Sequence, residues 1–170
     1  MERMKHFIFL KEANGCYAMQ DQGYTIYRGE SLSQKNTHTL ILRNSYHDPI
    51  ITIDCLVSGT FRFFHAHKEA AMNLHMEQMD GQLIWKNAAL QWKLPASQYY
   101  FIAIRHAPYV DIIMSDEREV LGYSQGLSGW LTSNNYSAPF AAIWMLMQEK
   151  SDIRFVDEAT FGQKRKEAKQ

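Results

Sequence analysis

The sequence predicts a mainly β protein: about twelve antiparallel strands closed into a barrel, with one hydrophobic C-terminal helix threaded through it. Three observations carry this. Tyr, Phe, Ile, Thr and Val crowd the first two-thirds of the chain in short runs. Turn-forming residues break those runs about every 8–12 residues, the spacing of an antiparallel barrel or sandwich. Near the C-terminus, Ala138 to Lys150 reads as a helix that is apolar in every direction.

The strands follow in order. Lys5 to Glu12 comes first, ended by the turn pair Asn14-Gly15. Tyr17 to Asp21 and Tyr24 to Glu30 flank Gln22-Gly23. Thr39 to Arg43 and Ile50 to Cys55 flank a loop of turn formers from Asn44 to Pro49. Thr60 to His67 alternates, with Thr60, Arg62, Phe64 and Ala66 on one face and Phe61, Phe63, His65 and His67 on the other. Ala71 to Gln78 and Gln82 to Lys86 flank Met79-Asp80-Gly81, where Asp-Gly accepts the positive φ of a tight hairpin. Leu90 to Leu94, Tyr99 to Arg105, Val110 to Ser115 and Val120 to Ser124 complete the set. Gly126 to Ser137 reads as a turn-rich stretch, and Asp152 to Asp157 as one further short strand.

The helix, expected at about 138–150, has its own logic. Ser137 is a good N-cap, and Pro139 fits a first turn, where its missing N–H costs nothing. Phe140, Ile143, Trp144, Met145, Leu146 and Met147 point all around the axis. Such a helix must be buried all around. The lumen of a closed barrel does this; a helix held between a sheet and a dimer partner is the alternative. Phe140, Ile143, Trp144 and Leu146 are the expected core of that helix.

Composition bounds the rest. At 170 residues the chain suits one domain of roughly 150 residues, expected over 1–160. Residues 161–170, with Lys164, Arg165, Lys166 and Lys169 against Glu167, read as a basic disordered tail. The 46% apolar content excludes an intrinsically disordered chain. The 18 basic and 18 acidic residues cancel, which argues against a double-stranded DNA binder. The longest apolar run, Ala138 to Met147, is about half a membrane span. With no signal-peptide core, Cys16 and Cys55 read as free thiols of a cytoplasmic protein.

The stretch Tyr136-Ser137-Ala138-Pro139-Phe140-Ala141-Ala142-Ile143-Trp144-Met145-Leu146 resembles the place in tubby-like proteins where an aromatic residue and a proline introduce the central helix. Tyr24 to Glu30, and Leu40 to Arg43 with Ile50 to Ile53, resemble bacterial and LURP-one-related members of that superfamily, which also holds the phospholipid scramblases. The likeness spans residues 5–157 and rests on hydrophobic pattern rather than catalytic letters. It implies a non-enzymatic binding module, without cofactor, engaging anionic phospholipid at a membrane periphery or a protein partner. Tubby domains hold phosphoinositide headgroups with a Lys/Arg cluster; the comparable strand here carries Arg43, without the adjacent basic pair.

Other side chains suggest chemistry. Lys86, Lys93 and Arg105 lie among Trp85, Trp92, Tyr99, Tyr100 and Phe101, a pattern shared by single-strand nucleic-acid binders and by ordinary barrel strands with aromatics inside. The neutral net charge favours the second. With Arg43, these three cations are the candidate lipid or partner contacts. The alternative is a cupin-like metal-dependent enzyme. Gly59, His65 and His67 match the opening of a cupin motif, and two histidines two apart on a strand share a face that can chelate a metal. The following Glu is missing: Ala71 and Met72 stand there. The Gly-x-Ser-x-Gly spacing of a nucleophile elbow is absent. A small interaction or immunity-type protein is a third class, which no residue favours or excludes.

Overall fold

The computed structural model describes residues 4–35, 37–56, 61–65, 68–69, 74–79, 82–88, 98–106, 109–115 and 119–149. From 56 to 109 this description is of the backbone, together with the side chain of Phe101. The strands are β1 (Lys5–Glu12), β2 (Cys16–Asp21), β3 (Tyr24–Ser33), β4 (Thr37–Asn44), β5 (Pro49–Leu56), β6 (Phe61–His65), β7 (Lys68–Glu69), β8 (Leu74–Met79), β9 (Gln82–Ala88), β10 (Gln98–His106), β11 (Tyr109–Ser115), β12 (Val120–Gln125) and β13 (Ser128–Leu131). One helix follows, α1 (Ser137–Glu149). The expected strands Leu90 to Leu94 and Asp152 to Asp157, and the tail 161–170, lie outside the described residues.

Every described pairing is antiparallel, and strands consecutive in sequence pair with each other throughout, except β7 with β8. The spatial order is β7-β6-β5-β4-β3-β2-β1-β13-β12-β11-β10-β9-β8. Turn chemistry drives this meander. Asn14, Gly15, Gln22, Gly23, His47 and Gly126 all adopt positive φ at strand ends. The β1–β13 pairing joins the two halves of the meander.

The sheet curls around the helix. Phe140 of α1 lies against Phe7 on β1 at 5.4 Å and Phe101 on β10 at 6.3 Å between ring centroids. The same helix touches β3, β4, β5 and β11. Strands from β5 round to β10 would spread over about 38 Å if flat, several helix diameters. The core of this arrangement is an eight-stranded antiparallel half-barrel with the helix packed against it. Phe140 through Met147 are all buried. Eight consecutive residues sample every direction around a helix of ~3.6 residues per turn, so every face is covered.

A closed twelve-stranded barrel is not what forms, and strand parity gives the physical reason. Alternating antiparallel strands around the observed order leave β7 and β8 pointing the same way. They are joined by residues 70–73, whereas parallel neighbours need a crossover of about a dozen residues or more. Among the described residues no pair links β7 to β8, and the outer edge of β6 is taken by β7. The helix is therefore wrapped by a curled sheet rather than threaded through a closed one.

Two local expectations also change. Ser128 to Leu131 is a strand inside the expected turn-rich stretch, paired to both β1 and β12. Ser137 is the first helical residue, at φ −65° and ψ −41°, not the N-cap. A 3-10 turn, Asn134–Tyr136, precedes it, and Ser133 Oγ accepts from Asn135 N there. Ser137 Oγ donates to the carbonyl of Asn134 at 2.7 Å.

Candidate functional site

Among the described residues, the inner face around Trp144 is filled by side chains. Phe9 stacks on Trp144 at 4.2 Å and 13°, and Tyr17 meets the same indole edge-on at 5.7 Å. Trp144 Nε1 donates to the carbonyl of Gly126, whose own N–H donates to buried Asp111 Oδ1 at 2.7 Å. A small gap beside Trp144 and Met145 has a volume of about 10 Å³, no more than one water's worth.

The two helix ends are tied by polar groups. At the N-terminal end the only hydroxyl proton of Ser137 goes to Asn134, so Tyr27 donates its own proton to Ser137 Oγ, at 2.8 Å. Burial pushes the Tyr27 phenol up from its usual value. At the C-terminal end Tyr17 donates to Glu149 Oε1. His38 Nε2 lies 3.5 Å from Glu149 Oε2 and is hydrogen-bonded to Ser31 Oγ. Burial first, then the hydrogen bond to Glu149, drives the Tyr17 phenol far above the ordinary tyrosine value. Ser31, His38 and Glu149 have the residue types of a nucleophilic triad but not its geometry. Serine and carboxylate meet the same imidazole nitrogen, so the acid cannot orient the ring from its far side. The group ties β2, β3 and β4 to the last turn of α1.

The outer face carries a cleft of about 280 Å³, lined by Glu12, Cys16, Tyr17, Arg28, Gly29, Glu30, Arg43 and His47. Strand register builds it in two rows. Glu12 pairs with Cys16, and Cys16 with Glu30. Two residues along, Ala18 pairs with Arg28, and Arg28 with Arg43. Side chains two apart on a strand share a face, so an acidic row lies beside a basic one. Arg43 Nε donates to Glu30 Oε1 at 2.9 Å, and its Nη1 donates to the carbonyl of His47 at 3.1 Å.

Arg43 is thus the one expected contact residue whose side chain is described, and it is engaged within the protein. Lys86 and Arg105 fall on β9 and β10, described as backbone, and Lys93 lies outside the described residues. β4 and β10 are seven places apart in the sheet order, so the strand order does not gather these cations into one patch. His65 pairs with Ile51 through the backbone of β6, and His67 lies outside the described residues. Among the described residues no three His, Cys, Asp or Glu side chains could hold a metal ion. Cys16 and Cys55 are both free thiols.

Sequence reasoning missed Glu12, Arg28 and Glu30 as a group, and Tyr17 with His38 and Glu149 as a tether. A signal for the first existed. A hairpin centred between residues 35 and 36 puts Arg28 opposite Arg43, but only once the strand ends are fixed.

No family model matches the chain, and neither a curated protein nor a solved structure matches it significantly. Among the described residues, no helix is long and apolar enough to cross a membrane.

Proposed function

We propose that this protein is a non-enzymatic binding module of tubby-like kind that recognises its partner on the outer face of the sheet, with an anionic phospholipid surface as that partner. The observation that carries the reading is the burial of α1 on all sides. An interior filled by Phe9, Phe140 and Trp144 is poorly suited to an enclosed active site, so recognition is assigned outside. Arg28, exposed on that face and in no ion pair among the described residues, supplies the cationic character such a surface needs.

Pelleting with anionic and neutral vesicles at low and physiological salt tests this. Salt-sensitive binding to the anionic vesicles alone is the expected result. No vesicle binding, with a protein captured instead, assigns the outer face to a protein partner. Stoichiometric metal in the purified protein, lost on His65→Ala or His67→Ala, would overturn the reading in favour of a cupin-like enzyme.

A further inference from the structure

Two arginines directly opposite each other on neighbouring strands repel, and a fold retains such a pair only against a cost. Glu30 answers for Arg43, which is pinned further by the carbonyl of His47. Arg28 is exposed and has no ion pair or hydrogen bond among the described residues. Glu12, at the end of β1, is exposed and equally unpaired among the described residues. Both line the same cleft. One carboxylate and one guanidinium therefore face a shared space without neutralising each other.

Their separation follows from the sheet. Glu12, Cys16 and Glu30 lie in one row across β1, β2 and β3, and Arg28 is two residues along from Glu30. Two strand spacings and two residues of rise put the Glu12 and Arg28 backbones about 12 Å apart. A Glu and an Arg side chain are together long enough to meet across that distance, yet no ion pair joins them, so both charges stay open to a small molecule held between them. Cys16, between them in the upper row, is small and leaves the floor open.

We infer that the outer cleft is a binding site for a small zwitterion, its acid group on Arg28 and its ammonium on Glu12. Arg43 and Glu30, paired with each other, form the wall beside Arg28 and leave it without Glu30 as a partner. The guanidinium offers a planar fork of donors to a carboxylate or a phosphate. The shared ligand chemistry is an acid and an amine separated by a short chain, free or as part of a headgroup. This inference rests on the outer face being the recognition surface. It is tested in solution without vesicles, so its failure and that of the membrane reading are separable.

The experiment is a low-salt NMR titration of the full chain with 4-aminobutanoate, phosphoethanolamine, acetate, inorganic phosphate and ethylammonium. The expected result is that at least one zwitterion binds at least tenfold more tightly than the acid or the amine alone, with shifts centred on residues 12, 16, 28 and 30. The two zwitterions separate a carboxylate from a phosphate preference. Arg28→Gln and Glu12→Gln should each weaken that binding at least tenfold while leaving the spectrum otherwise folded. The double charge reversal Glu12→Arg with Arg28→Glu should restore part of it. Zwitterions that bind no better than the separate acid and amine, or not at all, overturn the site. So does a Glu12→Gln variant that binds them as the wild type does.

Discussion

Strands β2, β3 and β4 present two faces with opposite demands. Inward, Tyr17, Met19, Gly29, Leu40 and Leu42 are buried against the helix. A methyl group added at Gly29 would collide with the sulfur of Met145. Outward, the same strands carry Cys16, Arg28, Glu30 and Arg43 around a cleft, and tolerate two opposed cations. One face is constrained by volume and the other by charge. The inner face makes the fold, and the outer one is free to carry opposed charges that the packed side would not accept.

The sharpest break of this contrast is Trp144→Asp. Trp144 is 1% exposed, stacked on Phe9 and bonded to Gly126. An unpaired carboxylate there costs on the order of 5 kcal/mol or more, comparable to the whole stability of a domain. No folded protein is expected by circular dichroism. A soluble, cooperatively unfolding variant would show that the helix is not enclosed.

Glycines sharpen the comparison next. At Gly129 an added Cβ would strike the carbonyl of Tyr123 and the ring of Phe7. At Gly29 it meets the flexible side chain of Met145. Backbone cannot swing aside, so Gly129→Ala should lower stability by about 3 kcal/mol or more, and Gly29→Ala by about 1–3 kcal/mol. Urea midpoints of the two variants check the order. The reverse order would mean that β13 is held less firmly between β1 and β12 than its pairing indicates.

Gly129 also shows where the sequence stopped being legible. The helix was readable because its signal is local: no order of Phe140 to Met147 leaves a polar side. Most strands were readable for the same reason, through Tyr, Ile and Thr between turn pairs. β13 was not, because Ser128-Gly129 has turn composition and becomes a strand through partners over a hundred residues away in β1. Closure was misread because it depends on strand parity, and the two-residue β7 changes that parity without leaving a hydrophobic signature. The cleft was hidden for a related reason. Arg28 and Arg43 look like ordinary surface charges until register places them face to face.

The tether at the end of α1 comes third in size. Tyr17→Phe removes the donor to Glu149, a bond to a charged group worth about 1.5–3 kcal/mol. It also predicts a pH effect with a definite sign. The folded-state phenol has its pKa raised far above the unfolded value of about 10. The folded protein therefore keeps a proton that the unfolded chain loses, and stability falls as pH climbs above about 10. Below that the contribution is fully present. Urea melts across that alkaline range should fall less steeply for Tyr17→Phe than for the wild type. An equal slope would mean that Tyr17 is not buried against Glu149.

The smallest expected change is on the outer face, and its sign is what matters. Arg28→Gln removes a cation opposite Arg43 and breaks no ion pair. Relief of like charges across a strand pair is worth about 0.2–1 kcal/mol, screened further by exposure. The variant should be as stable as the wild type or slightly more so, with the gain shrinking as salt is added. Glu30→Gln does the opposite: it frees Arg43 to repel Arg28 and should destabilise by up to about 1 kcal/mol at low salt. In the Arg28→Gln background, Glu30→Gln should cost less, since the repulsion it exposes is already gone. That coupling is the direct measure of a charge conflict built into the cleft. A cycle with no coupling would mean that the two arginines do not sense each other, and the outer face would then be under no more strain than any solvated strand.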